Sequence, residues 1–320
     1  MLRPSPNHDN EPKSQSHPVL TFLGPAGTYS HQAAYDRFAE AVHYRTGNTI
    51  SDVFHSVSPT VQLALLPQEN SIFGVVTETY DLLQKWIRGA VTLSIQHCLV
   101  VQRGKTLRDI KKVLSHEQAL GQCKQFIATH LPAARLVSVA STAAAAQIVS
   151  TQSDAADCAA ICSKVCLQLF ADLEILHEGI QNEQQNSTRF YILSNHPSLP
   201  LPNTPYDGHG KGNALIRLGV HKSETRTPQS SPVAVTDLLA ALGLPAVRID
   251  RRPSAQHELF SSVYFVEVAD DERSDDFQSS SSHYSSKDGV IKPSSWKERI
   301  VDSIARVAER GGRADLLGIW

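Results

Sequence analysis

Short apolar runs in this chain are repeatedly followed by a polar turn and then by an amphipathic stretch. That alternation restricts the fold more than any other feature. Residues 19–23 read as a buried strand, Gly24-Pro25-Ala26-Gly27-Thr28-Tyr29-Ser30 as a turn, and about 31–42 as a helix with Ala34, Phe38 and Ala41 on one face. Residues 63–66 are a second strand, and 75–86 a helix with Val75, Thr79, Leu82, Leu83 and Trp86 inward. A β-rich run covers 93–101, and a short strand 112–114 follows. Ser115-His116-Glu117-Gln118 has the form of a capping box, in which Ser115 caps the first turn and Gln118 reaches back. Residues 136–139 form a strand, Ser141-Thr142 cap a helix over 143–149, and 159–161 and 189–193 complete the series. Strand, polar loop and helix in alternation predict mostly parallel sheets with helices on both faces.

The repeated polar motif at each strand-to-helix step matters for chemistry. A helix start offers free N–H groups and partial positive charge. Several of them aimed at one place bind an anion without many Lys or Arg residues. The densest polar cluster is Asn186-Ser187-Thr188-Arg189-Phe190, directly ahead of the apolar Tyr191-Ile192-Leu193. In a regular strand Thr188 and Phe190 point to one face and Arg189 to the other.

A chain of 320 residues allows about two domains. Its net charge of −2 predicts no nucleic-acid or membrane partner, and no run approaches the roughly 18 apolar residues of a membrane span. Residues 1–18 are polar and Pro-rich, unlike a signal peptide, and read as a disordered tail. Five scattered cysteines, an odd number, predict a reducing, cytoplasmic setting. Cys158, Cys162 and Cys166 fall at helical spacing and read as the buried face of an Ala-rich helix rather than as a metal site. No GxGxxG or GxxxxGK[ST] motif is present, which disfavours a nucleotide. No His, Asp or Glu cluster has ligand spacing, which disfavours a metal hydrolase.

Residues 196–211 are rich in Pro, Gly, Asn and His and read as a linker. The remaining 212–320 reads as strand, helix, strand, strand, helix, strand, with a Ser/Asp-rich insertion at 270–286. That order is βαββαβ, as in ferredoxin-like units.

Four motifs in order carry a resemblance. They are Phe22-Leu23-Gly24-Pro25-Ala26-Gly27-Thr28-Tyr29-Ser30-His31, Pro67-Gln68-Glu69-Asn70-Ser71-Ile72-Phe73-Gly74-Val75-Val76, Ser115-His116-Glu117-Gln118-Ala119-Leu120, and Asn186 through Phe190. Together they resemble the prephenate dehydratase family. The resemblance implies an α/β fold. A two-lobed clamshell catalytic domain of the type II periplasmic-binding-protein kind spans 19–195, and a ferredoxin-like ACT regulatory domain spans 212–320. The lobes are then 19–90 plus 178–194, and 91–177. It also implies conversion of prephenate to phenylpyruvate, with loss of water and carbon dioxide, in phenylalanine biosynthesis. No metal or organic cofactor is implied. The substrate is a dianion with a tertiary alcohol, so the site needs donors for carboxylates and a donor or acid at the departing hydroxyl.

On the matching positions Thr188 is the catalytic donor, against a role as a strand-edge hydroxyl. Glu69, Asn70 and Ser71 join it. Glu69 either is protonated, orients other donors, or complements a helix start. Thr28, Ser30, His116, Gln118, Ser141 and Thr142 are expected to bind substrate from helix starts, with His116 alternatively a cap residue. Arg189 either forks onto a carboxylate or supports the loop by an ion pair, and Phe190 forms a wall or a core contact. Glu117 stands where the family has Pro. The effector, L-phenylalanine, is expected near Val233-Ala234-Val235 and Asp250-Arg251-Arg252-Pro253. There Val233 replaces a family Gly, and Asp250 and Arg251 replace Glu and Ser. A homodimer or homotetramer is the expected assembly. Arogenate dehydratase is the alternative enzyme, and a non-catalytic small-molecule sensor the alternative of another kind.

Overall fold

The computed structural model describes residues 17–84, 86–152, 155–202, 212–220, 234–254, 261–270 and 295–320. Most of the expected tail and Ser/Asp-rich insertion, part of the linker, and Val233 lie outside the described residues.

The first lobe is built on five strands in the order β5-β11-β3-β1-β2. These are β1 (Val19–Leu23), β2 (His43–Gly47), β3 (Leu63–Asn70), β5 (Trp86–Ser94) and β11 (Ser187–Ser194), with a short β4 (Gly74–Val75) paired to β3. β1 runs parallel to both β2 and β3, but β11 runs antiparallel to β3 and β5. The sheet is therefore mixed rather than mostly parallel, because β11 returns from the second lobe in the opposite sense. One face packs on α1 (Tyr29–Phe38): Leu20, Phe22, Leu63, Leu65, Phe190 and Ile192 lie there with Ala33, Ala34 and Phe38. The other face, with Ala64, Leu66, Tyr191 and Leu193, packs on α2 (Ile50–Ser56) and on Tyr80 of α3 (Thr77–Leu82).

Alternation of the two faces along β3 is interrupted once. Arg189 pairs with Glu69 but Phe190 pairs with Pro67, so Gln68 is an extra residue, a β-bulge. Beyond it the parity of β3 is inverted. Asn70, which an even count from Leu66 assigns to the α2 face, stands opposite Thr188 on the α1 face.

The second lobe carries a five-stranded sheet in the order β10-β6-β9-β7-β8. Its strands are β6 (Cys98–Gln102), β7 (Lys112–Ser115), β8 (Arg135–Ser138), β9 (Cys158–Cys162) and β10 (Leu173–His177). Around it lie α4 (Glu117–Gln122), α5 (Lys124–His130), α6 (Thr142–Thr151) and α7 (Cys166–Leu169). The β-rich run 93–101 is two strands in different sheets, split at 95–97 where the chain crosses between lobes. It crosses back over 178–186. The crossings are tied by Ile95 N donating to Asn186 O (2.8 Å), Ile180 N to His97 O (3.1 Å) and His97 N to Gln181 Oε1 (2.9 Å).

The third unit follows the order β12 (Asn213–Val220), α8 (Val235–Leu242), β13 (Ala246–Pro253), β14 (Ser262–Ala269), α9 (Trp296–Glu309), β15 (Gly312–Ile319). Its sheet order is β13-β14-β12-β15, with Leu238, Leu242, Ile300 and Val307 buried from the two helices. β15 meets β5 at Gly318 opposite Ile87, which joins this sheet to that of the first lobe. Leu215, Phe265 and Leu317 share one core with Tyr80, Leu83, Ile87 and Tyr191.

Several sequence expectations are corrected. The helix expected over 75–86 is only Thr77–Leu82. Val75 and Trp86, expected inward, are 37% and 42% exposed, because Val75 belongs to β4 and Trp86 opens β5. Cys158 and Cys162 lie on β9 and Cys166 on α7, so they do not share a helix face, although all five cysteines are free and buried. Ser115 does not cap α4; its hydroxyl donates to Ile161 O (2.6 Å) and His116 is the N-cap.

Candidate active site

The bulge in β3 brings two distant motifs together. Asn70 donates from Nδ2 to Thr188 Oγ1 (3.0 Å), Asn186 Oδ1 (2.7 Å) and Ser187 O (3.2 Å). Its Oδ1 accepts from Ile72 N (2.9 Å) and Phe73 N (3.1 Å). Two backbone donors on the oxygen fix which end of the amide faces Thr188. Ser71 N donates to Ser187 O (2.8 Å), Ser187 N to Ser71 Oγ (2.9 Å), and Ser71 Oγ to Gln185 O (3.0 Å). Thr188 thus accepts a hydrogen bond, and its own proton has no acceptor among the described residues. A hydroxyl that accepts is polarised toward donating.

Arg189 faces the other way. Its guanidinium lies 3.5 Å from Glu69 Oε1 and 3.5 Å from Glu267 Oε2 of β14. Glu69 also pairs with Arg248 of β13. Glu69 therefore sits between two guanidiniums and on the opposite face from Thr188. Glu267 is buried, which pushes its carboxyl above the usual range although Arg189 and Arg248 oppose the shift. Phe190 is a core residue, 2% exposed.

Helix α1 begins beside the second lobe. Thr28 is its N-cap: Oγ1 accepts from His31 N (3.4 Å) and donates to Leu23 O (3.0 Å), so this hydroxyl builds the turn. Ser30 is buried in the first turn. Gly27 O accepts from Ser163 Oγ (2.7 Å) and Cys166 Sγ (3.3 Å), and Gln32 Oε1 accepts from Val165 N (2.6 Å), all across the lobe boundary. Ser141 caps α6 through Ala144 N (2.9 Å), with Thr142 in the first turn. A Cβ on Gly27 would stand 3.0 Å from Ala143 Cβ, so the starts of α1 and α6 abut. His116 and Gln118 are exposed at the start of α4, where His116 Nδ1 accepts from Gln118 N (3.3 Å).

A relay that sequence reasoning missed crosses the same boundary. Tyr29 Oη lies 2.5 Å from His97 Nδ1, and His97 Nε2 lies 2.6 Å from Gln122 Oε1. Gln122 Oε1 can only accept, so His97 carries its proton on Nε2 and accepts from Tyr29. Burial pushes Tyr29 well up and His97 down, which keeps both neutral. Asn186 was also passed over as a site residue, although it lies inside the fourth motif. Among the described residues no group of three or more His, Cys, Asp or Glu is placed to hold a metal ion, and no helix is long and apolar enough to cross a membrane.

In the third unit Ala234 is the N-cap of α8 and Val235 opens that helix. Asp250 accepts from Arg248 Nε (2.5 Å), Arg251 Nε donates to Ser262 Oγ (2.8 Å), and Pro253 closes β13. Arg252 reaches the first lobe and forks onto Asp81 of α3 (2.7 and 2.6 Å).

Two α/β lobes joined by paired crossings, with amides and hydroxyls gathered where they meet, place this chain among the two-lobed α/β proteins. Residues 20–198 match the family model described as prephenate dehydratase. The chain belongs to the prephenate dehydratase family. It is 31% identical over 257 residues to a bifunctional chorismate mutase/prephenate dehydratase of Neisseria gonorrhoeae, covering 78% of this chain and 66% of that protein. It is 35% identical over 242 residues to the chloroplastic arogenate dehydratase/prephenate dehydratase 1 of Arabidopsis thaliana, covering 68% and 59%. The chain spans just under two thirds of the length of such curated relatives. Among solved structures it resembles a prephenate dehydratase in complex with L-Phe from Arthrobacter aurescens, with TM-score 0.66 and 25% identity, covering 94% of this chain and 89% of that one.

Proposed function

We propose that this chain catalyses the decarboxylating dehydration of prephenate to phenylpyruvate. The observation that carries the reading is the Asn70–Thr188 hydrogen bond at 3.0 Å, within a chain of this family. In the reaction the bond from the ring to its carboxylate breaks and carbon dioxide leaves. Its electron pair enters the ring as the opposite carbon–oxygen bond breaks, and the hydroxyl takes up one proton to leave as water. Aromatisation drives the step. Thr188, held by Asn70, donates to the departing oxygen as an oriented donor and supports the charge that develops there. Asn186, Ser71 and Ser187 hold that pair. Ser30, Thr142, His116 and Gln118, with the starts of α1 and α6, face the carboxylates. Thr28 and Ser141 support them as caps. Glu69 and Arg189 act from the reverse face, and Phe190 packs behind the site.

The same proposal takes 19–195 as the catalytic domain, a clamshell of periplasmic-binding-protein kind, and 212–320 as a ferredoxin-like ACT domain joined by the 196–211 linker. The L-Phe named for the Arthrobacter structure supports L-phenylalanine as effector, near Ala234, Val235 and 250–253. A homodimer or homotetramer in the cytoplasm completes the reading. Arogenate is the second substrate reading, favoured by the name of the Arabidopsis relative. The test is to incubate pure protein with prephenate and with arogenate and to measure phenylpyruvate and phenylalanine. Phenylpyruvate from prephenate is expected. Product from arogenate alone moves the assignment, and product from neither supports a binding-only sensor.

A further inference from the structure

We infer that Arg248, a residue of the third unit, is a positioning residue of the candidate site: it holds Glu69 at the β3 bulge and so fixes the Asn70 amide against Thr188. The inference rests on the reading of Asn70 and Thr188 given under Proposed function.

Five charged side chains form one continuous chain across two units. Asp250 accepts from Arg248, Arg248 pairs with Glu69, Glu69 with Arg189 (3.5 Å), and Arg189 with Glu267 (3.5 Å). The chain begins and ends on the third unit. In between it passes through Glu69 and Arg189, the sequence neighbours of Asn70 and Thr188. Arg248 is 15% exposed at its side chain, and its guanidinium lies 5.9 Å from the centroid of the Tyr80 ring. An ion pair so screened from water exerts more force than a surface one.

The place it acts on is the irregular point of β3. At a bulge two residues oppose one and the ladder is locally disrupted. Here the Gln68 carbonyl accepts from Val76 N (2.8 Å), and the side chains of the two bulge residues add further holds on the backbone. Both bulge residues are gripped from the same side. Glu69 is held by Arg248. Gln68, fully buried, donates from Nε2 to Tyr80 Oη (3.0 Å), and the Tyr80 ring meets Phe265 of β14 edge-on at 5.1 Å. The next residue along is Asn70. A shift at Glu69 is transmitted to it through one peptide unit, and Asn70 in turn orders the amides of Ile72 and Phe73. Arg252 offers the natural comparison. Its fork onto Asp81 ties the same two units together yet touches neither bulge residue.

The test uses the full chain with Arg248→Met, Arg248→Lys, Asp81→Asn and Thr188→Ala. Two readouts are taken: kcat and KM on prephenate, and amide hydrogen exchange over 68–76. Arg248→Met is expected to lower kcat about tenfold with a smaller change in KM, and to speed exchange over 68–76. Arg248→Lys restores part of both. Asp81→Asn, which breaks a tie between the units that touches neither bulge residue, leaves both near the parent values. Equal effects of Arg248→Met and Asp81→Asn overturn the inference, since the residue then serves docking alone. So does an Arg248→Met protein with unchanged kcat and exchange. Thr188→Ala separates the two levels: normal turnover there removes the site reading itself, whereas loss of turnover there with an unaffected Arg248→Met removes only the positioning role. Exchange decides the matter even if prephenate is not turned over.

Discussion

Asn70 reaches the Thr188 hydroxyl at 3.0 Å because β3 carries one extra residue at Gln68. Without the bulge Asn70 would share a face with Leu66 and point toward α2, away from Thr188. The same shift sends Glu69 to the face of Arg189 and the third unit. One inserted residue therefore sorts a run of three polar side chains into two jobs, one on each side of the sheet.

The first prediction concerns that amide. Asn70→Asp keeps an acceptor for the Ile72 and Phe73 amides but removes the donor to Thr188, and it places a carboxylate against Asn186 Oδ1 and Ser187 O. Thr188 would then donate to the new carboxylate instead of outward. Turnover of prephenate is expected to fall about 10²-fold, the scale for losing one oriented donor, while circular dichroism stays native. Turnover within about threefold of the parent overturns the role of Asn70.

A second prediction concerns the contact between lobes. Gly27 has φ +91°, a conformation that costs an L side chain dearly. A Cβ there would also meet Ala143 Cβ and Cys166 Sγ at 3.0 Å. Gly27→Ala is expected to cost about 2 kcal/mol of stability, measured by urea unfolding, and to weaken the Ser163–Gly27 bond across the boundary. An unchanged unfolding midpoint contradicts this.

The polar strand-to-helix steps were legible where a side chain caps the helix, as Ser141 and Thr28 do in the structure, but not at Ser115, which turns to Ile161 O, nor at α3, which has no side-chain cap. The order βαββαβ of the third unit was legible from its apolar runs. The elements missed were those without such signals. β2 reads His43-Tyr44-Arg45-Thr46-Gly47, has no buried residue, and exists because it pairs in register with β1. α2 is held by a capping box of Thr49 and Asp52, and its shortness hid it. The mixed sheet could not be read because strand direction depends on where the chain returns, and β11 returns from the far lobe. The bulge left no mark either, since Gln68-Glu69-Asn70 shows no apolar alternation to be interrupted. Alternation along β11 did separate Thr188 from Arg189. Along β13 it sets Arg248 and Asp250 against Val247 and Ile249, a pattern that the sequence carries but that alone names no partner for Arg248.

A third prediction is a pH dependence of stability. Burial holds His97 below its ordinary value of 6.5, with its bond to Gln122 opposing the shift. His31 is held low by burial as well. The unfolded chain therefore binds more protons than the folded one between the lowered values and 6.5. The stability these groups carry is full above pH 6.5 and is lost as pH falls through their folded values. The urea midpoint is expected to drop on acidification below about 6.5, and His97→Gln is expected to flatten that drop in part, leaving the share of His31. A midpoint with equal pH slopes in parent and variant rules out His97 as a source.

The last prediction tests how the third unit is seated. β15 touches β5 at Gly318 opposite Ile87, and a Cβ on Gly318 would stand 2.2 Å from the Ile87 carbonyl oxygen. The obstacle is backbone, so it cannot rotate aside as a side chain would. Nearby, Phe265, Leu317 and Trp320 pack with Tyr80 and Tyr191 in one apolar core. Gly318→Ala must push the two sheets apart at this point and loosen that core, at a cost of about 1–3 kcal/mol. If the units unfold together in the parent, the variant is expected to show an earlier or separate transition for the third unit. The Arg248–Glu69 pair, which depends on the same seating, weakens with it. Turnover should therefore fall in Gly318→Ala although no site residue is altered, and a second change at Arg248 should add little further loss, because both act through one contact. Independent, multiplying losses in the double variant contradict that single path.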